Sequence, residues 1–300
     1  MKAFVTGSSG LIGRSLVEAL EGRGDTVVPY DKAISSHLDI LNGPVLAMDI
    51  TASKPDIIIH LAAQSGVEAA RSNARAAWEL NVIGTLNVLE AARIRTTPVI
   101  LASSNHVYGH QDSDDMTGES APLNQLDTYS ATKIAADVMG RSYWHNYGLP
   151  VTVVRNTNCY GPDSPHLGHL IEGTIIAALN DEQLQMRTDG QTSKAYLHVD
   201  DVARAYMLVA DQLLDENLRG EAINVTGPSF KAIDVVDLIL YVMGKPELHP
   251  LLGAPVADQE DEQLDDAKIR ALGWHEQMPL ADGIRTMVAA FTERYGGVIA

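Results

Sequence analysis

The 300-residue chain has a single cysteine, Cys159. An internal disulfide and a CxxC metal knuckle are therefore both excluded. Positive charge is also scarce: 22 Lys and Arg stand against 39 Asp and Glu, a net charge of −17 at pH 7. Grip on a phosphate backbone needs clustered cations, so nucleic acid is not expected as a partner. Any anionic substrate must be met by cations placed locally. The chain has no apolar run of about eighteen residues, so no membrane span is expected. Internal repeats and low-complexity segments are absent. The N-terminus passes from Met1-Lys2 straight into a strand-like run and a Gly-rich turn, without a leader-peptide pattern, and a cytoplasmic location is expected. Histidines at 166 and 169, without a carboxylate pattern beside them, make a poor metal site, and no metal is expected.

A strand-then-helix rhythm fills the first two-thirds of the chain. Strands are expected over Lys2–Thr6, Thr26–Tyr30, Asp56–Ala62, Val99–Ala102 and Pro150–Arg155. Helices are expected over Leu11–Gly24, Asn73–Arg93 and Asp127–Tyr147. Unbroken apolar runs such as Ile57-Ile58-Ile59 suit strands buried on both faces. The alternation predicts an α/β fold with a Rossmann-type doubly wound parallel sheet. Beyond residue 158 the rhythm loosens. Helices are expected over Asp200–Leu214, Ile233–Met243 and Leu280–Tyr295, and a strand over Glu221–Val225. Pro246–Gln263 is Pro-rich and acidic and reads mostly as loop, and Asp258–Asp266 as a solvated acidic stretch.

The stretch VTGSSGLIG places Gly7, Gly10 and Gly13 between the first strand and the first helix. Glycines there permit a tight turn and close backbone approach to a pyrophosphate, while the helix start offers free N–H groups and a positive dipole end. Asp31 closes the second strand, where a carboxylate can accept hydrogen bonds from both ribose hydroxyls of NAD and repel the 2′-phosphate of NADP. Lys32, the next residue, works against that repulsion. The balance favours NAD.

Tyr129 and Lys133 have i,i+4 spacing and share a helical face. A phenol's ordinary pKa is about 10. A neighbouring ammonium favours the phenolate and lowers it. Such a phenol can take a proton from a sugar hydroxyl while hydride leaves the carbon. Upstream, SSNHVYG at 103–109 follows the apolar run Val99–Leu101 and concentrates hydroxyl, carboxamide, imidazole and phenol groups.

With these residues in place, the chain resembles the extended short-chain dehydrogenases/reductases of the NAD-dependent epimerase/dehydratase type, which act on nucleotide-sugars. The resemblance runs over nearly the whole length. It includes TGSSGLIG, LDI at 38–40, HLAAQ at 60–64, NVIGT at 81–85, SSNHVYG, YSATK at 129–133, VRNTNCYGP at 154–162, YLHVDDVARA at 196–205 and LGW at 272–274. It implies that residues 1–158 form the NAD-binding domain, with a segment about 196–220 returning to it, and that 159–300 form mostly a smaller α/β substrate-binding part.

By this resemblance, Ser104 is the catalytic hydroxyl that bonds the reacting sugar oxygen and shares its proton with Tyr129. Lys133 would bind the nicotinamide ribose and polarise Tyr129. Ser9, Gly10, Leu11, Ile12 and Gly13 would contact the cofactor at the turn. Asp31, Lys32, Asp39 and Ile40 would hold its adenosine end. Leu61, Ala62, Ala63, Gln64 and Asn81 would line the pocket. Ser103, Asn105, His106, Asn158, His169, Leu170 and Lys194 would meet a nucleotide-diphosphate sugar. The helices over 73–93 and 128–146 resemble the pair that forms a four-helix homodimer interface in the family.

Two departures from the family bear on the reaction. In sugar-nucleotide 4,6-dehydratases an acid follows the catalytic hydroxyl residue, and a Glu or Lys comes next. Here those positions hold Asn105, which cannot deliver a proton, and His106, whose ordinary pKa near 6.5 suits a base. The oxidation machinery is kept and the elimination acid is missing, which favours an epimerase. Against this, HLAAQSGVEAARSNARAAWELNVIGT, EQLDDAKIRALGW and GPDSPHLGHLIEGTIIAAL look most like CDP-glucose 4,6-dehydratase-type chains. An Asn after the catalytic Ser also occurs in CDP-tyvelose 2-epimerase-like sequences, and SSNHV resembles the loop of uronate dehydrogenases. Three enzyme readings stay open: epimerase, dehydratase, and a sugar or uronate dehydrogenase. A non-catalytic NAD sensor would have no need of the Ser-Tyr-Lys set. The second departure is Lys194-Ala195 where many relatives have Arg-Asp; a lysine meets a diphosphate without arginine's two-pronged fork. His60 reads as a loop or cofactor-adjacent histidine rather than a catalyst, Tyr108 as a residue that packs the loop against the sheet or flanks the cofactor, and Cys159 as a small packing residue rather than a nucleophile.

Overall fold

The computed structural model describes residues 1–109, 116–255 and 263–296. In chain order the elements are β1 (Lys2–Thr6), α1 (Leu11–Gly22), β2 (Thr26–Tyr30), α2 (Gly43–Ser53), β3 (Ile57–His60), α3 (Val67–Ser72), α4 (Ala74–Trp78), a π-helical turn (Glu79–Ile83), α5 (Gly84–Arg93), β4 (Val99–Ala102), α6 (Thr128–Tyr147), β5 (Val151–Asn156), β6 (Asn158–Tyr160), α7 (Leu170–Leu179), β7 (Ser193–His198), α8 (Val199–Leu214), β8 (Ala222–Val225), β9 (Ser229–Lys231), α9 (Ala232–Val242), α10 (Ala267–Ala271) and α11 (Leu280–Tyr295). No described helix is long and apolar enough to cross a membrane.

The chain divides into two compact units. The first comprises 1–157, 202–225 and 264–275; the second comprises 158–201, 226–263 and 276–300. The first unit holds a six-stranded sheet in the order β2-β1-β3-β4-β5-β8, with every pairing parallel. Strand order reverses at β1, between β2 and β3. A doubly wound sheet opens its ligand crevice beyond the carboxyl ends of the strands at such a point. Both glycine turn and HLAAQ follow strands that end there. The sheet is Rossmann-like, as the alternation of apolar runs and helical patterns leads one to expect.

Ile57, Ile58 and Ile59 are fully buried, as are Val151, Val153 and Val154. Helices cover both faces, so these strands need no polar alternation. The α6 helix starts at an Asp127 cap that accepts from Ser130 N at 3.0 Å, and it stops at Gly148, whose φ of 65° suits a left-handed helix end. It lies close on the sheet: a Cβ at Gly140 would stand 2.3 Å from Leu101 Cδ1.

In the second unit β6 pairs parallel with β7, and β7 antiparallel with β9. Its core joins Tyr160, Ile171, Ile175, Val235, Ile239, Ile284, Met287 and Phe291. The α7 helix crosses a stretch for which the sequence pattern gives no helix. The expected single helix over 73–93 is interrupted by the π turn. The expected loop from Pro246 is observed as far as residue 255; residues 256–262, and with them most of the acidic stretch 258–266, lie outside the described residues. Within that stretch Asp266 is buried, not solvated, and pairs with Arg270 at 2.7 Å.

Candidate active site

Steric limits define the cradle at the end of β1. Gly7 has φ +73°, and a Cβ on it would lie 2.6 Å from Ala62 N. A Cβ on Gly13 would lie 2.1 Å from Gly7 O. No side chain could stand at either place. Gly10 precedes α1 in an extended conformation with no side-chain cap, so the first N–H groups of Leu11, Ile12 and Gly13 are offered to a ligand. The Ser8 hydroxyl is buried there without a partner. Asp31 accepts from Ser9 N at 3.0 Å and from Ala33 N at 2.8 Å, which holds its carboxylate against the turn. Lys32 Nζ lies 3.3 Å from Asp39 Oδ2. Its charge is thus engaged, and the objection it raised to NAD over NADP weakens. The Ile40 side chain belongs to the apolar core rather than to an open pocket, while its carbonyl accepts from Asn87 Nδ2 at 2.9 Å.

A hydrogen-bond chain then runs from this cradle to α6. His60 Nδ1 lies 2.7 Å from Thr6 Oγ1, and Nε2 lies 3.0 Å from Thr85 Oγ1. Thr85 spends its one hydrogen on Asn81 O at 2.7 Å. At His60 it must therefore accept, so Nε2 carries the proton and Nδ1 accepts from Thr6. Burial, aided by the Lys133 charge, pushes the imidazole down to about 3. His60 is a neutral strut with both ring nitrogens engaged within the protein. Asn81, carried in the π turn, accepts from Gln64 N at 2.8 Å and donates to Gln64 O at 3.1 Å and to Thr132 Oγ1 at 2.9 Å. Thr132 in turn donates to Tyr129 O at 2.7 Å. The Gln64 amide nitrogen donates to Ala69 O at 2.9 Å. π turns recur at functional positions because the extra residue re-aims a side chain, and here Asn81 reaches both the segment after β3 and the start of α6.

Leu61, Ala62 and Ala63 follow β3 directly. Leu61 N donates to Thr6 O at 3.1 Å, and Ala62 N to Thr6 Oγ1 at 3.4 Å. The segment is thereby pinned against the glycine turn.

Ser103, Ser104 and Asn105 are all buried after β4. Ser104 Oγ donates to Asn105 Oδ1 at 3.3 Å and accepts from His106 N at 3.2 Å. The Ser103 hydroxyl is buried with no partner. The His106 ring meets Tyr129 edge-on, 6.1 Å between centroids. Lys133 Nζ donates to Ala102 O at 3.0 Å, and burial pushes this ammonium down to about 8. Ser104, His106, Tyr129 and Lys133 thus gather around the carboxyl end of β4. A phenol, a hydroxyl, an imidazole and a buried ammonium so grouped can move a proton to or from one bound oxygen.

Asn158, His169, Leu170 and Lys194 lie in the second unit. Asn158 Nδ2 donates to Ala195 O at 3.3 Å. Lys194 is half-buried in β7 opposite Phe230. His169 precedes α7, its ring stacked on His166 at 4.7 Å, and burial lowers both imidazoles. The Leu170 side chain packs into the apolar core, so only its backbone is available to a ligand. Sequence reasoning missed Glu172. This carboxyl is buried within α7 and raised by that burial, with Ser164 and His166 as opposing influences. It also missed Thr6, Thr85, Thr132, Asp137 and Arg155. For Arg155 a signal existed: an arginine directly after Val153-Val154, within the expected strand, demands a buried partner.

A family model described as the NAD dependent epimerase/dehydratase family matches residues 3–226. The chain is 29% identical over 322 residues to a UDP-glucose 4-epimerase of Mycolicibacterium smegmatis, covering 98% of this chain and 99% of that one. It is 32% identical over 264 residues to a trifunctional UDP-glucose 4,6-dehydratase/epimerase/reductase of Arabidopsis thaliana; 85% of this chain is covered, and the match spans 38% of that longer protein. The crystal structure of DesIV, a dTDP-glucose 4,6-dehydratase from Streptomyces venezuelae with NAD and TYD bound, superposes with a TM-score of 0.87 at 29% identity, covering 99% of this chain and 98% of that one.

Proposed function

Because the chain belongs to the NAD-dependent epimerase/dehydratase family, we propose that it is a nucleotide-sugar epimerase working by transient oxidation of a sugar hydroxyl to a keto intermediate. The cofactor is NAD, and the cradle fits it: two glycines at which no Cβ has room, open N–H groups at the start of α1, an unpartnered buried Ser8 hydroxyl and a ribose-side Asp31. When bound, NAD supplies a two-electron acceptor that is reduced and reoxidised within one turnover.

The Tyr129 phenolate takes the proton of the reacting sugar hydroxyl. Lys133 steadies the phenolate, and in doing so regains a counter-charge for its buried ammonium. Ser104 turns its hydrogen from Asn105 to the sugar oxygen and stabilises the charge that develops there. For the return, Tyr129 hands its proton back to the keto oxygen after the sugar has changed configuration or orientation. His106 contacts the sugar beside Tyr129. In the second unit, Asn158, Lys194, His169 and the Leu170 backbone are the candidates for contact with a nucleotide-sugar.

One observation carries the choice of epimerisation: the residue touching Ser104 is Asn105, an amide with no proton to give to a departing hydroxyl. The second reading, a 4,6-dehydratase, draws on His106, whose imidazole stands edge-on to Tyr129 and could serve as the acid/base. Liquid chromatography with mass spectrometry on UDP-, CDP-, GDP- and dTDP-sugars separates them. A new peak of unchanged mass supports the epimerase. Loss of one water overturns it in favour of the dehydratase, and loss of two hydrogens with NADH accumulating points to a dehydrogenase.

The reading includes a homodimer and a cytoplasmic location. Trp78, Ile83 and Val138 are 43%, 48% and 49% exposed on α4, the π turn and α6, an apolar surface suited to a second copy. Light scattering tests this: a monomer at micromolar concentration would remove it. A chain with one cysteine, and so no internal disulfide, suits a reducing compartment.

A further inference from the structure

One buried side chain ties the segment bearing Ser104 to the helix bearing Tyr129 and Lys133. Arg155, in β5, is 0% exposed. Its Nε and Nη2 donate to Asp137 Oδ2 and Oδ1 at 2.8 and 3.0 Å. Its Nη1 donates to the Tyr108 hydroxyl at 2.8 Å and to Glu119 O at 2.9 Å. The guanidinium carbon also lies 5.0 Å from the Tyr108 ring centroid. Tyr108 passes its own hydrogen to Asn224 Oδ1 at 2.6 Å.

Both ends of this grip lead to the chemistry. Tyr129, Lys133 and Asp137 follow at four-residue spacing on α6 and so form one stripe of the helix. Tyr108 stands immediately after the short helical turn, Asn105–Val107, that begins at Ser104. An apolar pair of similar volume would often give the same stability as a buried ion pair. What the planar fork adds is direction, because two parallel N–H bonds to one carboxylate fix its angle as well as its distance.

We propose that Arg155 is a positioning residue of the active site, which holds the Ser104 segment and the Tyr129–Lys133 stripe at the separation that proton transfer needs. The proposal rests on the roles given above to Ser104, Tyr129 and Lys133. A lysine at 155 keeps the charge and loses the fork, so Arg155→Lys is the informative change.

The full-length protein is assayed with whichever nucleotide-sugar of the panel turns over. Arg155→Lys is expected to lower kcat at neutral pH by about 10²-fold, the scale of a misplacement near 1 Å. KM and NAD affinity stay as in the parent. The acid limb of kcat moves up by about one pH unit as the Lys133 charge loses its register with Tyr129, so alkaline pH restores part of the rate. A lower melting temperature with kcat and its acid limb unmoved would overturn the proposal, leaving Arg155 a scaffold residue. A parallel decline of kcat, sugar binding and NAD binding would also overturn it. If Arg155→Lys does not fold, Tyr108→Phe, which removes one hydroxyl, is judged by the same criteria, with a loss of about tenfold expected. Tyr129→Phe run alongside tests the underlying roles: if it keeps its turnover, those roles fail, whatever Arg155→Lys shows.

Discussion

The Ser104 hydroxyl donates to the carboxamide oxygen of Asn105 at 3.3 Å. A neutral amide holds the hydroxyl in place and takes no part in proton traffic. Replacing Asn105 by Asp puts a titratable proton carrier in the same place. The expected outcome for Asn105→Asp is a second product, lighter by one water, beside the epimer. Mass spectrometry of the reaction mixture checks it; a variant that yields only the epimer at unchanged rate would show that this position does not choose the outcome.

Tyr129→Phe removes one oxygen from a buried ring. Turnover should fall by about 10²- to 10⁴-fold, the usual contribution of a positioned acid/base. NAD affinity should stay as in the parent, measured by fluorescence titration with NADH.

Lys133 is a buried ammonium pushed down to about 8 by desolvation. In the unfolded chain it keeps its ordinary value near 10.4. Between these values the unfolded state binds more protons, so the stability of the cofactor-free protein from this group rises with pH from about 8 to about 10. Lys133→Met removes the buried charge. It should stabilise the cofactor-free protein at pH 7 by about 1–3 kcal/mol while abolishing turnover. Thermal melts from pH 7 to 10 check this; the variant's profile should be the flatter one.

His60 has the same sense of shift on the acid side. Its folded value of about 3 lies below the ordinary 6.5, so the unfolded chain gains the proton first and stability is lost as pH falls from about 6.5 towards 3. His60→Gln keeps a donor for Thr85 and gives up the bond with Thr6. It should cost about 1–3 kcal/mol at pH 7 and flatten the decline below pH 6.5. Urea melts at pH 7 and pH 5 supply both numbers.

At Gly13 a methyl group would meet Gly7 O at 2.1 Å. The turn must open to admit it, at a cost of about 1–3 kcal/mol. Gly13→Ala should therefore weaken NAD by about 10- to 100-fold, read by calorimetry.

Much of this site is legible along the chain. The strand, glycine turn and helix from Lys2 to Gly22 follow from local pattern, as do the buried isoleucines of β3 and the four-residue step from Tyr129 to Lys133. These depend on neighbours within a few residues. The α7 helix is not legible. LIEGTIIAAL is apolar on every side and carries a glycine and four β-branched residues, so it shows neither amphipathic period nor helix propensity, and packing overrides both. The π turn around Asn81 leaves no local mark either. Its reason is tertiary: the reach of Asn81 to Gln64 and Thr132. Lys32 shows a third kind of failure. Its charge is evident in the sequence, but whether that charge is free depends on Asp39, which the fold brings to 3.3 Å.

Asn224 donates to Thr117 O at 3.0 Å and to Asp265 O at 2.9 Å, and accepts from Tyr108. The first unit is thus stitched from three separate stretches of chain. On the ribosome, residues 1–157 emerge before the strand that carries Asn224 and the segment around Asp265. Until then the Ser104 segment lacks its clasp, because the side chain that accepts from Tyr108 has not yet been made. No single cut in the gene would release either unit whole.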